Sequence, residues 1–346
     1  MNPRRSPLAR PGARPRARRR PPAVVAGLSA AALLLAGCTV EPPAPEAEAP
    51  VIAAVVSAPQ EREILDSVVS VLEGADGAGP LASRLAGPAL TMREAELAAA
   101  SGGGGRSVLT DLALETQQLI LPAEQGWPRS SFAITEPPED RVTPLLAVLD
   151  QRTARDQYKL WAYVWLVSGA TMPQFAPAEL GSEAVAADDA SLLVPPGALA
   201  EQYASVLTVG DRSQYAAVFA ADDDLRKELR ESGRDQVAAT TEKDGKGRFE
   251  VAYEPADGGV KAVRTVDGGA MVVLALRSQE TLRAEEGWQL TPASPSAAAL
   301  WDDGDGTDVL RTAYHDTVAL YVPPAGSAAT VSLLGVHRVP YAVSAG

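Results

Sequence analysis

Val260-Lys-Ala-Val-Arg-Thr-Val-Asp-Gly-Gly-Ala-Met-Val-Val-Leu-Ala-Leu276 decides the fold. Two β-branched, apolar runs flank Asp267-Gly268, a pair that reads as a hairpin turn because its backbone tolerates positive φ. The stretch therefore predicts antiparallel strands over residues 260–266 and 270–282. Upstream, residues 247–253 read as another strand. Downstream, residues 309–322 and 329–343 read as a last hairpin joined through Pro323-Pro324-Ala325-Gly326. Helices come first. Pro195-Pro196 is good helix-start chemistry, and Leu199, Tyr203, Val206 and Leu207 follow at helical spacing. A short helix is expected over 214–220. Another is expected over 225–240 behind Asp222-Asp223-Asp224, which puts acids at the positive end of the helix dipole.

The same programme runs once earlier. Residues 60–73 place Ile64, Leu65, Val68, Val71 and Leu72 on one helical face. A second helix is expected over 80–100, bent or split at Pro88. After the glycine-rich loop at 101–105, strands are expected over 112–121, 131–135, 144–150 and 158–168. Residues 169–195 hold no sustained period. Helices followed by a run of antiparallel strands argue an α+β fold with helices on one face of each sheet. The expectation is two tandem domains, 60–190 and 191–346.

The N-terminus carries a different message. Eight arginines precede a short apolar run, and Leu35, Ala36 and Gly37 precede Cys38, the single cysteine of the chain. Charged head, apolar core and small residues before a cut site are the parts of a signal peptide, here residues 1–37. Leu35-Ala36-Gly37-Cys38 reads as a lipobox, which makes Cys38 the lipid attachment point and the membrane the first partner. Acylation also explains a lone cysteine in an exported protein. Residues 38–59 are proline-rich and read as an extended stalk, although 51–56 have the composition of a first strand. The expected location is the extracytoplasmic face of the cell membrane. Removing the eight arginines, with no acid among them, takes the formal charge from −13 to about −21. Such a surface repels nucleic acid, which is not an expected partner.

Two resemblances follow. The order of helices and strands, repeated, resembles tandem nuclear transport factor 2-like or cystatin-like domains, which implies curved sheets that can leave a pocket. Ala86-Gly-Pro-Ala-Leu-Thr-Met-Arg93, Lys159-Leu-Trp-Ala-Tyr-Val-Trp165, Asp188-Asp-Ala-Ser-Leu-Leu-Val-Pro-Pro196 and Ala319-Leu-Tyr-Val-Pro-Pro-Ala-Gly326 resemble an uncharacterised family of actinomycete lipoproteins. This second resemblance implies a shared fold and an envelope location, and carries over no functional residue.

Catalytic signatures are missing. There is no Gly-x-Ser-x-Gly elbow, phosphate-cradling loop or dinucleotide fingerprint. His315 and His337 fall on neighbouring strands without a third ligand nearby. Asp302-Asp303-Gly304-Asp305-Gly306-Thr307-Asp308 fails the EF-hand order and reads as an acidic turn. No catalytic residue, metal ligand or cofactor is expected. Period two places Trp161, Tyr163 and Trp165 on one strand face, either as core or as a face for a ligand or partner. The reading is a lipid-anchored envelope protein that binds a partner protein, a cell-wall glycan or an apolar ligand. The alternative is an envelope hydrolase with a carboxylate pair in one domain pocket. A solute receptor would need two α/β lobes, an order this chain lacks.

Overall fold

The computed structural model describes residues 53–74, 79–138, 141–221, 223–239, 247–302 and 304–346. The signal segment, Leu35, Ala36, Gly37, Cys38 and the stalk up to residue 52 lie outside the described residues. The chain is α+β, with two four-stranded antiparallel sheets. The first holds β1 (Thr116–Ile120), β2 (Arg129–Thr135), β3 (Leu145–Gln151) and β4 (Lys159–Trp165). The second holds β5 (Arg248–Arg264), β6 (Ala270–Arg283), β7 (Val309–Val322) and β8 (Ser332–Ala345). Each is a simple meander in chain order.

Local chemistry places the helices. α1 (Ala58–Gly74) opens with a reciprocal cap: Ser57 N–H donates to Gln60 Oε1 at 2.9 Å and Gln60 N–H to Ser57 Oγ at 3.4 Å. It thus begins two residues inside the stretch read as stalk. Just before it, Ala54 and Val55 donate backbone hydrogen bonds to Glu179 and Pro122, so residues 53–57 are tied to the body without forming a strand. The helix expected over 80–100 is split at Gly87-Pro88: a 3₁₀ turn at Leu81–Ser83 precedes α2 (Gly87–Ala99). Proline in the first turn has no N–H to lose there. α3 (Pro196–Val209) ends at Gly210, whose φ of 62° suits glycine. α4 (Asp224–Ala239) is capped by Asp223, which accepts from the Arg226 N–H at 3.0 Å. The short α5 (Pro295–Ala298), capped by Ser294, has no counterpart in the sequence reading.

One expected break is absent. The strands expected over 247–253 and 260–266 are a single long β5. Gly258 and Gly259, at φ 128° and 75°, absorb the extra residues between Pro255 and Val260 while pairing with β6 continues on both sides.

Three apolar clusters define the layers. One joins Leu65, Val68 and Met92 of α1 and α2 to Leu145, Leu149 and Tyr163 of the first sheet. Another joins Leu199, Tyr203, Leu225 and Leu229 of α3 and α4 to Val272, Leu274, Val318 and Leu320 of the second. The third lies between the sheets, where Phe132, Ile134, Val148 and Trp161 meet Met271, Val273, Ala319 and Leu334. Both half-chains thus share one body, Pro50–Gly346, layered helix, sheet, sheet, helix. This is why β4 is apolar on both faces: helices cover one and the other sheet covers the second.

The sheets touch most closely where β4 leaves its own sheet. Val167 N–H donates to Leu334 O at 2.9 Å and Thr317 Oγ1 donates to Tyr163 O at 2.7 Å. A Cβ on Gly335 would stand 2.6 Å from the Trp165 carbonyl oxygen, so only glycine permits this approach. Lys261 of β5 also pairs with the buried Asp150 of β3.

Candidate ligand groove

Pro195-Pro196 starts α3, Gly210 turns the chain out of it, and Asp223 starts α4 so that α4 runs beside the first residues of β5. Gly233 is buried in α4, and a Cβ there would stand 2.5 Å from the Phe249 ring. The missing side chain seats that ring against the helix. Between α3, α4 and β5 a groove of about 1550 Å³ remains. Val206, Leu207, Leu229, Val237, Phe249 and Val251 supply its apolar lining.

The charged lining is one-sided. Arg212, Arg226, Arg230, Arg234 and Arg248 face two carboxylates, Asp211 and Glu250. Arg226, Arg230 and Arg234 recur every four residues, which puts them on one side of α4. Arg226 is buried. Its Nη1 donates to Ala220 O at 3.1 Å and its Nη2 to Asp211 Oδ1 at 2.6 Å. Its Nε is also buried and has no hydrogen-bond partner among the described residues. Arg212, Arg230, Arg234 and Arg248 are exposed and form no ion pair among the described residues. At the start of α4, burial pushes the Asp223 carboxyl up, against the hydrogen bond it accepts from Tyr203 at 2.7 Å. The four-residue arginine period was legible in the sequence. Its significance was not, because the acids Glu228, Glu231 and Asp235 are interleaved with it.

The residues singled out from sequence lie elsewhere. Trp161, Tyr163 and Trp165 do not share a face. Val148 pairs with Ala162 but Leu149 pairs with Leu160, so Trp161 is the extra residue of a β-bulge. The bulge turns Trp161 toward the second sheet, while Tyr163 and Trp165 face the helices. All three are buried, at 2%, 0% and 8% exposure. Gly87 makes room for the Trp161 indole, 2.7 Å from where its Cβ would be.

His337 and His315 enter separate surroundings. His337 Nε2 lies 3.1 Å from Thr110 Oγ1 and 3.7 Å from Glu96 Oε1. Glu96 also accepts from Arg93 at 2.7 Å, Thr110 at 2.5 Å and Tyr163 at 3.3 Å. Burial alone would raise this carboxyl. The hydrogen bonds from His337, Thr110 and Arg93 outweigh it and hold the carboxyl below the usual range. His315 stacks on Tyr341 at 4.1 Å, and burial lowers its pKa. No group of three or more His, Cys, Asp or Glu side chains placed to hold a metal occurs among the described residues.

A polar row crosses the helix-facing side of the second sheet. Arg338 donates through Nε to Asp316 Oδ1 at 2.8 Å and pairs through Nη2 with Glu280 Oε1 at 2.9 Å. Ser278 donates to Asp316 at 2.7 Å and Tyr314 to Glu280 at 3.3 Å. Burial pushes the Asp316 carboxyl up, opposed by the Arg338 charge.

The fold and groove thus define an α+β protein with a cationic, partly apolar cleft on an acidic chain. The chain belongs to the family described as a domain of unknown function (DUF8094), whose model matches residues 57–340. It is similar to an uncharacterised lipoprotein of Streptomyces avermitilis, 31% identical over 227 residues, with 64% of each chain covered. It is also similar to an uncharacterised lipoprotein of Streptomyces coelicolor, 26% identical over 205 residues, covering 59% of this chain and 60% of that one. The chain therefore spans less than two thirds of the length of either relative. No solved structure matches. Among the described residues no helix is long and apolar enough to cross a membrane.

Proposed function

We propose that this protein is a lipid-anchored binding protein of the cell envelope, non-catalytic, with the groove between α3, α4 and β5 as its binding site. A signal peptide ending at Gly37 is removed, Cys38 receives the acyl chains, and the body works on the extracytoplasmic face. The lipobox and the lipoprotein names of the two relatives support the anchor. One observation carries the binding role: four exposed arginines, Arg212, Arg230, Arg234 and Arg248, line the groove and form no ion pair among the described residues. Exposed guanidinium groups beside an apolar lining suit an anionic ligand.

Binding is favoured over hydrolysis because the carboxylates raised by burial already serve internal partners. Asp316 is held by Arg338 and Ser278, Asp223 by Tyr203 and the first turn of α4, and Glu61 by Ser131. The test has two arms in the producing cell. Cys38→Ala should leave uncut precursor or release the protein to the medium; membrane fractionation at mature size overturns the anchor. A photo-crosslinking amino acid at position 234 should give a discrete adduct that the same group at exposed Val142, outside the groove, does not give. Equal labelling from both positions overturns the groove.

A further inference from the structure

We infer that the groove takes an amphipathic anion, a hydrocarbon chain ending in a carboxylate or a phosphate; this rests on the groove being the binding site. Charge argues first. The chain carries a formal −13, yet this cleft gathers five arginines against two carboxylates. A cleft that opposes the sign of the whole surface concentrates anions against the general field. A neutral hydrocarbon would gain nothing from that arrangement.

Donor geometry argues next. The buried Arg226 is pinned through both terminal nitrogens to Ala220 and Asp211, whereas Arg230 and Arg234 are exposed and form no ion pair among the described residues. Carboxylate and phosphate oxygens fit a guanidinium edge and are its strongest hydrogen-bond partners. Arg230 and Arg234 continue the row at ~6 Å per step along α4. They meet the incoming head group, and the buried charge of Arg226 adds to the same field at the inner end of the row.

The apolar lining then excludes an anion without a tail. Leu207, Leu229, Val237, Phe249 and Val251 line the same groove. Inorganic phosphate would leave the half-buried Val237, Phe249 and Val251 in water. The volume, about 1550 Å³, exceeds the ~300–1,000 Å³ of ordinary small-molecule sites, which suits a long chain. A nucleic acid would waste the apolar lining and meet the acidic remainder of the surface.

The experiment uses the full chain with Cys38→Ala, so that its own acyl groups do not compete. The probes are cis-parinarate followed by fluorescence, with dodecyl phosphate, dodecanol, inorganic phosphate and polyglutamate as competitors. We expect cis-parinarate to bind and dodecyl phosphate to displace it, with dodecanol at least about tenfold weaker, since each lost charge-assisted bond costs about that much. Whichever anion binds more tightly identifies the source of the head, free fatty carboxylate or phosphate-headed lipid. Arg230→Glu with Arg234→Glu, two exposed positions, should weaken both anions about tenfold or more with an unchanged melting temperature. The inference is overturned if dodecanol competes as well as dodecyl phosphate, if the double variant binds as wild type does, or if polyglutamate displaces the probe as well as the alkyl anions do. An adduct at position 234 from cells, combined with indifference to both alkyl anions, keeps the binding role and overturns this ligand class alone.

Discussion

Replacing Glu61 by glutamine should change how stability depends on pH. Glu61 sits in the apolar stripe of α1 with Leu65 and Val68, at 0% exposure. Ser131 Oγ donates to its Oε1, and its Oε2 has no partner among the described residues. Burial pushes its pKa from 4.5 up to about 7, with the Ser131 hydrogen bond opposing. The native state therefore keeps a proton that the unfolded chain loses at lower pH. Stability from this group is fully present below pH 4.5, falls as pH rises to about 7, and is flat above. The gap from 4.5 to about 7 corresponds to about 3 kcal/mol at ~1.36 kcal/mol per pH unit. Glutamine keeps the acceptor for Ser131 and cannot ionise. Any cost of its amide nitrogen is the same at every pH. Urea unfolding of both proteins at pH 4.5 and pH 8 isolates the effect, because the other carboxylates are common to both. The stability difference should move by about 3 kcal/mol in favour of Glu61→Gln at the higher pH. Parallel profiles would show that Glu61 is not held neutral, and would refute the reasoning.

Trp161→Ala and Trp165→Ala should each lose ~3–5 kcal/mol in thermal or denaturant melts, the usual result of emptying a large core site. A loss below ~1 kcal/mol at either position would remove that ring from the core. Gly335→Ala pushes a Cβ to 2.6 Å from the Trp165 carbonyl oxygen and should lose ~1–3 kcal/mol or more. Gly304→Ala, with open space around its Cβ and no positive φ, is the matched control and should melt like wild type.

Much of the fold was legible because its signals are local. Asp267-Gly268 marks a turn in which Asp267 Oδ1 accepts the Gly269 N–H and Gly268 has φ 83°. Pro88 splits the second helix and Asp223 caps α4, each for reasons that lie within a few residues. What stayed hidden depends on contacts distant in sequence. Nothing near Gly258-Gly259 says that β6 continues across from both of its flanks. Strict alternation along β4 fails because the bulge at Trp161 arises from pairing with β3. Both faces of β4 read as covered, but that the second cover is another sheet follows only from packing. The arginine row was visible as a period, yet its meaning required β5 beside it, with Phe249 seated at Gly233. Tyr163 and Trp165, offered as a binding face, lie in the helix-covered core.

The polar row on the second sheet acts as a registry key. β8 is the last strand of its sheet, paired along its length with β7 and touched on its other edge only near its start, where Leu334 and Gly335 meet the end of β4. Arg338 stands opposite Asp316 in that alignment. Sliding β8 by one residue sends every side chain to the other face. His337 or Val339 would then face Asp316, the guanidinium would enter the layer between strand and α2, and Asp316 and Glu280 would be left without their shared cation. An apolar edge strand can slip by small steps at small penalties; this one meets an uncompensated buried charge at the first step. The final strand of the chain thus has a single permitted alignment, written in one arginine and two acids rather than in the apolar pattern around them.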